Sequence, residues 1–227
     1  MHPLIPLPLY YSFLFLSVLT TALLIGHGRH LMPERKPLWI GMALWFIVQY
    51  LAGKLGFFAD GIGEVPPRIM LFVVPNFVML IFLAFSRFGA HLAVPFSLFF
   101  LTALQSFRIG VEIILWLLAE ERLLPLVMSW EGRNVDVLVG LTAPVLAVLL
   151  LKGKVSHRVM IAWNVAGLII VTNVVVHGML SVPGIERIVT DIPNFIVSYA
   201  PFNLLPGVLV PIAYLLHILS LRKLLAR

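Results

Sequence analysis

Four polar residues of the mostly apolar stretch 93–118 have a spacing that suits a binding surface. These residues are Thr102, Gln105, Arg108 and Glu112. They are spaced by three, three and four residues, which places them on one face of a helix. A charged side chain within a membrane span costs about 2.5–3.5 kcal/mol or more, and it is retained where it pairs or faces water. Arg108 and Glu112 therefore either form an ion pair within the helix or belong to the wall of a polar pocket.

Other polar residues are predicted to lie at a similar depth in the neighbouring apolar stretches. The depth of each residue follows from its position in a helix that rises about 1.5 Å per residue. The polar residues that this places in the outer half of the membrane are Gln49, Tyr50, Asn76, residues 131–136, Asn173 and His177. An unpaired polar group in hydrocarbon costs several kcal/mol, so we expect these side chains to point inward and line a cavity reachable from the outer surface. The predicted ligand-binding residues are Arg108, Glu112, Gln105, Asn134, Asp136, Asn173 and His177.

The composition indicates that these residues lie within a membrane. Of the 227 residues, 61% are hydrophobic and 11% are charged, whereas soluble domains have roughly 45–50% apolar and about 25% charged residues. Such a chain cannot cover a water-facing surface, so lipid is its main solvent. Cysteine is absent, which excludes disulfides, thiolate metal sites and cysteine nucleophiles from this sequence. The net charge of +6 does not indicate nucleic-acid binding, because membrane orientation accounts for basic residues in short connections.

Seven apolar stretches predict an all-α, seven-helix transmembrane bundle that occupies residues 1–227 as a single domain. A membrane-spanning helix needs about 20 mostly apolar residues. Each stretch is too long and too uniformly apolar for the alternating pattern of a membrane β-barrel. The predicted spans are residues 9–26, 38–55, 69–86, 93–118, 135–151, 159–180 and 205–221.

The distribution of Lys and Arg between the connections predicts the orientation. One side carries ten of these residues and the other carries five, apart from Arg108 within a span. Because basic residues are enriched in cytoplasmic loops, the N-terminus is predicted to lie outside and the C-terminus in the cytoplasm, in a plasma (inner) membrane. The longest connection, residues 181–204, then lies on the outer surface, either as a lid or as a linker.

Three short motifs follow one another from the fourth predicted span onward. They are Phe-Arg-Ile-Gly-Val-Glu at residues 107–112, Glu-Gly-Arg-Asn-Val-Asp at residues 131–136, and Trp163 with Asn164. Their arrangement resembles a group of uncharacterised bacterial seven-helix membrane proteins. The resemblance implies a bacterial origin and carries no activity, substrate or catalytic assignment.

The histidines and the known catalytic motifs do not indicate a cofactor. Haem or a metal would need two or more ligands that face each other at matching depth; His27 or His30 with His217 are the candidates, and nothing in the sequence places them face to face. The zinc-protease, nucleophile-elbow and P-loop motifs are absent from the sequence. No lysine lies mid-span, so retinal would have no anchor.

Three functions remain open at this point. The first is binding or transport of a small polar or anionic ligand, or of a lipid headgroup, in an outward-facing pocket where Arg108 pairs with the anion and Glu112 provides the counter-charge. The second is an intramembrane enzyme that acts on a lipid-linked substrate, with Glu112, Asp136 or His177 in acid–base roles. The third is a non-catalytic membrane subunit or anchor. In each case the lipid bilayer is a partner, and nucleic acid is not.

Overall fold

The computed structural model describes residues 4–185, 188 and 190–226. These residues form helices joined by turns, and none of them lies in a β-strand. The α-helices are α1 (Leu7–Leu31), α2 (Lys36–Lys54), α3 (Met70–Phe85), α4 (Arg87–Ala93), α5 (Leu98–Leu104), α6 (Phe107–Glu120), α7 (Val137–Leu151), α8 (His157–Leu180) and α9 (Val210–Leu225). The predicted all-α fold class is confirmed.

Several helices are long and apolar enough to cross a membrane. Within the described chain they are Leu7–Leu31, Leu98–Glu120, His157–Leu180 and Leu205–Leu225, with a fifth if α3 and α4, bent by 80°, form one broken span. Large apolar side chains point outward from them; Phe15 and Ile169, for example, are each 66% exposed. Extended apolar surface of this kind marks contact with lipid, so the chain is a membrane protein.

Every predicted span overlaps at least one helix, but some of the predicted spans are not single regular helices of full length. The predicted span 93–118 is divided into α5 and α6. Between them Gln105, Ser106 and Arg108 donate their backbone N–H groups to carbonyls three residues earlier, which is the narrower 3₁₀ geometry. α7 has 15 residues and is shorter than the usual length of a span.

The π-helical segment Leu205–Leu209 and α9 form the centre of the bundle. Packed around α9 are α3, α4, α5 and α8, and its residues from Val210 to His217 are all buried. The far end of α9 is fixed by Arg222, whose guanidinium donates to the carbonyls of Ala84 (2.9 Å) and Ser86 (2.7 Å) at the bend between α3 and α4. Polar side chains of α6, of α8 and of the turn before α6 bond to residues of α9.

A proline shapes the start of this central helix. Pro211 has no N–H, so the carbonyl of Gly207 four residues earlier receives no bond from it. That carbonyl instead accepts hydrogen bonds from Trp45 Nε1 (3.0 Å) and Asn76 Nδ2 (2.9 Å). A backbone acceptor released by proline thus joins α2, α3 and the central helix.

Candidate intramembrane polar site

The side chain of Arg108 lies at the centre of a buried polar network. α6 turns it inward, and the residue is 1% exposed. Its Nε donates to Asp136 Oδ2 at 2.6 Å, and its Nη2 donates to the other oxygen of the same carboxylate. This two-point contact matches the planar guanidinium to the planar carboxylate. A buried cation and anion are thereby neutralised together.

The third nitrogen of Arg108 contacts an imidazole on the central helix. Arg108 Nη1 lies 3.0 Å from His217 Nε2, and because a guanidinium only donates, Nε2 must accept. The ring proton therefore resides on Nδ1, which lies 2.9 Å from Asn164 Oδ1 and donates to it. Asn164 in turn donates from Nδ2 to the carbonyl of Met160 at 2.8 Å. The hydrogen bonds assign a neutral imidazole with one defined tautomer.

Two further contacts fix the geometry of this chain of hydrogen bonds. Gln105 places Oε1 3.5 Å from Arg108 Nη1 and donates from Nε2 to the carbonyl of Ala213 at 3.1 Å. The imidazole of His217 lies directly against Gly167 of α8, where a Cβ atom would collide with the ring. Glycine at position 167 is needed for this close approach, because any side chain would displace the histidine.

Glu112 lies one turn beyond Arg108 on α6, and it does not form the intrahelical ion pair that its spacing permits. Its Oε1 accepts from Asn134 Nδ2 at 2.9 Å. Its Oε2 is buried and has no hydrogen-bond partner among the described residues. Since the residue is 1% exposed, one oxygen of a buried carboxyl group is left open. This is the one acceptor of the network, as far as the chain is described, that the protein does not itself occupy.

A tight loop between α6 and α7 holds the partners of Arg108 and Glu112. Asn134 donates from Nδ2 to the Met128 carbonyl (2.9 Å) as well as to Glu112, and its Oδ1 accepts from the backbone N–H of Asp136 (3.0 Å). The loop closes on itself at Gly132, where a Cβ atom would collide with the Leu126 backbone. The amide of Asn134 therefore links the carboxyl group of Glu112 to the backbone of Asp136.

The structure brings together five of the predicted ligand-binding residues and leaves two outside. The five are Gln105, Arg108, Glu112, Asn134 and Asp136. Asn173 and His177 are partly exposed and lie farther along α8. Asn173 donates to the Arg133 carbonyl at 2.8 Å, and His177 Nδ1 bonds to the Asn173 carbonyl at 2.9 Å.

Of the three residues considered for acid–base catalysis, Glu112 and Asp136 lie in the network and His177 lies outside it. Asp136 is held in the ion pair with Arg108, and His177 makes its ring hydrogen bond within α8. Glu112 alone retains an open oxygen. The arrangement contains a possible binding position rather than an acid–base pair.

Sequence reasoning did not assign His217 and Asn164 to this network. From the sequence, His217 was a candidate metal ligand only, and Asn164 belonged to a motif without an assigned role. The available signal was that each is a polar residue within an apolar stretch, on helices that turn out to be neighbours. Residue counting gives the depth of such a residue but not the face of the helix on which it lies.

No cavity among those described is lined by Arg108 or Glu112. A depression of about 590 Å³ lies on the other side of the loop that covers them, lined by Leu126, Val127, Gly132, Arg133, Ile188, Thr190 and Asp191. The connection 181–204 contributes to this depression through Asp191, whose Oδ1 accepts from the Leu126 N–H at 3.1 Å. Glu186, Arg187 and Val189 of that connection lie outside the described residues.

Gln49, Tyr50 and Asn76, which were expected to lie at the same depth, belong to other parts of the bundle. Tyr50 bonds through its hydroxyl to that of Tyr10 at 2.8 Å. Gln49 accepts on its backbone carbonyl from Asn203 and lies against Gly207. Asn76 is part of the same region through its bond to the Gly207 carbonyl. They form a second polar region around the π-helical segment.

The geometry around the histidines does not favour a metal or a haem. In the described part of the chain, no three His, Asp or Glu side chains are grouped so as to hold a metal ion. Both ring nitrogens of His217 are engaged in hydrogen bonds. His27 stacks on Phe100 with ring centroids 3.8 Å apart. His217 thus has no free nitrogen for an iron or zinc ion.

Comparison with known proteins places the chain in a family. The model of a family described as a domain of unknown function (DUF8737) matches residues 66–225, so the chain belongs to that family. The match covers α3 to α9 and every residue of the Arg108 network, and it confirms the expected membership of an uncharacterised group. No curated protein and no solved structure matches the chain.

Proposed function

We propose that this member of the DUF8737 family is a plasma-membrane protein of seven spans that binds or transports a small polar ligand at Glu112. Each of the seven apolar stretches overlaps a helix, and the excess of Lys and Arg on one side supports an outward N-terminus. In this orientation the loop that holds Asn134 lies at the outer surface. The ligand reaches the network from that side.

The observation that carries the proposal is the open Oε2 atom of Glu112. A buried acceptor without a partner costs about 1–3 kcal/mol, and more when it is charged. The rest of the network around Arg108 is occupied by protein groups. A ligand that donates a hydrogen bond to Glu112 therefore removes the free-energy cost of this unpaired oxygen.

The charges indicate the chemistry of this ligand. Arg108 is already neutralised by Asp136, and His217 is neutral in the tautomer fixed by its hydrogen bonds. The network thus has no free cation for an anionic ligand, and it offers one carboxyl oxygen. This favours a ligand that brings a positive charge or an N–H or O–H donor over the anion expected from Arg108 alone.

The covering loop provides the route to this oxygen. Asn134 holds the loop to Glu112 through a single side-chain hydrogen bond, and the outer depression is formed by neighbouring residues of the same loop. When the Asn134 amide leaves Glu112, both carboxyl oxygens become available at once. An arriving ammonium group has three donors and can bond to both oxygens in place of the amide.

Binding of small cations to the purified protein tests this proposal. We expect saturable binding of at least one of sodium, ethanolamine or choline, measured by calorimetry on the protein in lipid nanodiscs, and a loss of at least about tenfold in Glu112→Gln. The matched control is Glu120→Gln, which changes an exposed carboxyl group on the same helix. Failure of the wild-type protein to bind any of the three, or equal binding by Glu112→Gln, contradicts the proposal.

The seven-span topology has its own test, which the absence of cysteine makes simple. Single cysteines are introduced at Glu34, Glu121 and Lys154, all exposed, and intact cells are treated with a membrane-impermeant maleimide. Only the cysteine at position 121 is expected to react. Labelling at position 34 or 154 with none at position 121 would show that the orientation is the reverse of the one proposed.

A further inference from the structure

A cavity separate from the Arg108 network lies between α2 and α3. Its volume is about 390 Å³, within the range of about 300–1,000 Å³ usual for small-molecule sites. α1 and α9 form its floor, where it reaches Thr21, Gly207 and Leu215. Gly41 and Met79 at its rim are exposed on the membrane-facing surface. The cavity therefore opens sideways, toward lipid.

The hydroxyl group of Thr21, like that of Thr102, lacks a hydrogen-bond partner among the described residues. Ser17, Thr142 and Thr172 each donate to the carbonyl four residues earlier, at 2.7 to 2.8 Å, which is how such groups are usually satisfied in a helix. Thr21 Oγ1 is buried and makes no such bond. The residue is 6% exposed and lines the cavity. The oxygen is enclosed in the cavity wall, so it meets a molecule in the cavity when the side chain turns about its Cα–Cβ bond.

A second polar atom in the same cavity also lacks a protein partner. Asn76 uses Nδ2 to reach the Gly207 carbonyl, and its Oδ1 accepts no hydrogen bond from the described residues. The remaining lining is apolar and includes no Lys, Arg, Asp or Glu in the described chain. The cavity is thus complementary to a neutral, mostly apolar molecule that bears a hydrogen-bonding group.

We infer that this cavity binds a neutral single-chain lipid with a hydroxyl group, which enters from the bilayer between α2 and α3. The apolar chain fills the space between the helices, and the hydroxyl bonds to Thr21 Oγ1 or Asn76 Oδ1. A charged headgroup is excluded because no opposite charge lines the cavity. A purely hydrocarbon chain binds less tightly, because it leaves both polar atoms without partners.

The probes for this inference are hexadecanol, hexadecane and hexadecanoate, added to the detergent-solubilised protein and detected by native mass spectrometry. The wild-type protein is expected to retain one hexadecanol molecule in preference to the other two. Thr21→Val keeps the shape of the side chain and removes the hydroxyl, so hexadecanol binding weakens by about 2- to 10-fold while hexadecane binding is unchanged. Ser17→Ala on the same helix is the control and has no effect on either.

A second variant blocks the cavity without touching its polar atoms. Gly41 has open space around the position of a Cβ atom, so Gly41→Phe is accommodated and fills the mouth. It is expected to abolish hexadecanol retention. Gly26→Phe is the matched control, since Gly26 also has open space but does not line the cavity. Melting curves from tryptophan fluorescence confirm that both variants fold.

The outcomes distinguish specific binding in the cavity from lipid that adheres to the protein surface. Hexadecanol retention that survives Gly41→Phe, or that falls equally in Gly26→Phe, overturns the inference. So does a Thr21→Val protein that still prefers hexadecanol to hexadecane by the wild-type factor. Tighter binding of hexadecanoate than of hexadecanol would show that charge rather than the hydroxyl is recognised. None of these results depends on Glu112.

Discussion

Removal of the negative partner of Arg108 should reveal how strongly the buried ion pair supports the bundle. Asp136→Asn keeps the size of the side chain but leaves a guanidinium that is 1% exposed without its counter-charge. Breaking a buried pair in this way costs about 3–5 kcal/mol. We expect a loss of that size in the free energy of unfolding, measured by titration with SDS in mixed micelles and followed by tryptophan fluorescence.

The chain contains a comparison pair with the same geometry at its surface. Arg68 donates from Nε and Nη2 to the two oxygens of Glu64 at 2.9 and 2.7 Å, but the pair is exposed to solvent. Glu64→Gln should therefore have little effect, because water solvates the cation that remains. The contrast isolates burial as the cause of the difference between the two ion pairs.

The double variant Arg108→Met with Asp136→Leu removes both charges and so tests the cause of this loss. If the loss in Asp136→Asn comes from an uncompensated charge, removal of both charges should recover most of it. An effect of Asp136→Asn no larger than that of Glu64→Gln would refute the reasoning, since it would mean that Arg108 reaches water. A double variant as unstable as the single one would place the cost in packing rather than in charge.

Three further predictions concern Gly167, Trp45 and the Arg68–Glu64 ion pair. Gly167→Ala should lower the melting temperature by collision with the imidazole, and Gly167→Ala with His217→Ala should melt higher than Gly167→Ala alone. Trp45→Phe should cost about 0.5–1.5 kcal/mol in the SDS titration through loss of its bond to the π-helical carbonyl; an unchanged midpoint contradicts that bond. Hydrogen bonds from Arg68 lower the pKa of Glu64, so the stabilisation is present above the unfolded-state pKa and is lost as the pH falls through the folded-state pKa. Arg68→Gln should raise the pKa of Glu64 toward its ordinary value in an NMR titration, and no change would contradict the ion pair.

Sequence reasoning predicted which residues are confined to the interior, but not how they pair. Charge within an apolar stretch was enough to identify Arg108 and Glu112 as residues that need partners. The spacing of four residues favoured a pair within one helix, whereas Asp136 binds Arg108 at two points from the start of α7. Which partner Arg108 takes depends on the path of the loop before α7. The helical period of 3.6 residues gives no information about that path.

The predicted common helical face of the four polar residues in the stretch 93–118 is correct only in part, for a similar reason. The tight turn between α5 and α6 advances about 120° per residue where an α-helix advances about 100°, so it rotates residues before the turn relative to those after it. Thr102 precedes the turn, and its Oγ1 makes no hydrogen bond, whereas Arg108 and Glu112 follow it and join the network. Regular spacing predicts a common face only where the helix itself is regular.

The central position of α9 has a consequence for biogenesis. The ribosome makes α9 after α1 to α8, yet α9 carries the imidazole that accepts from Arg108, and the segment before it carries the carbonyl that accepts from Trp45 and Asn76. The earlier helices must wait in the translocon or the bilayer with these donors unpaired. These polar residues therefore reach their native hydrogen-bond partners only when the central helix inserts among them.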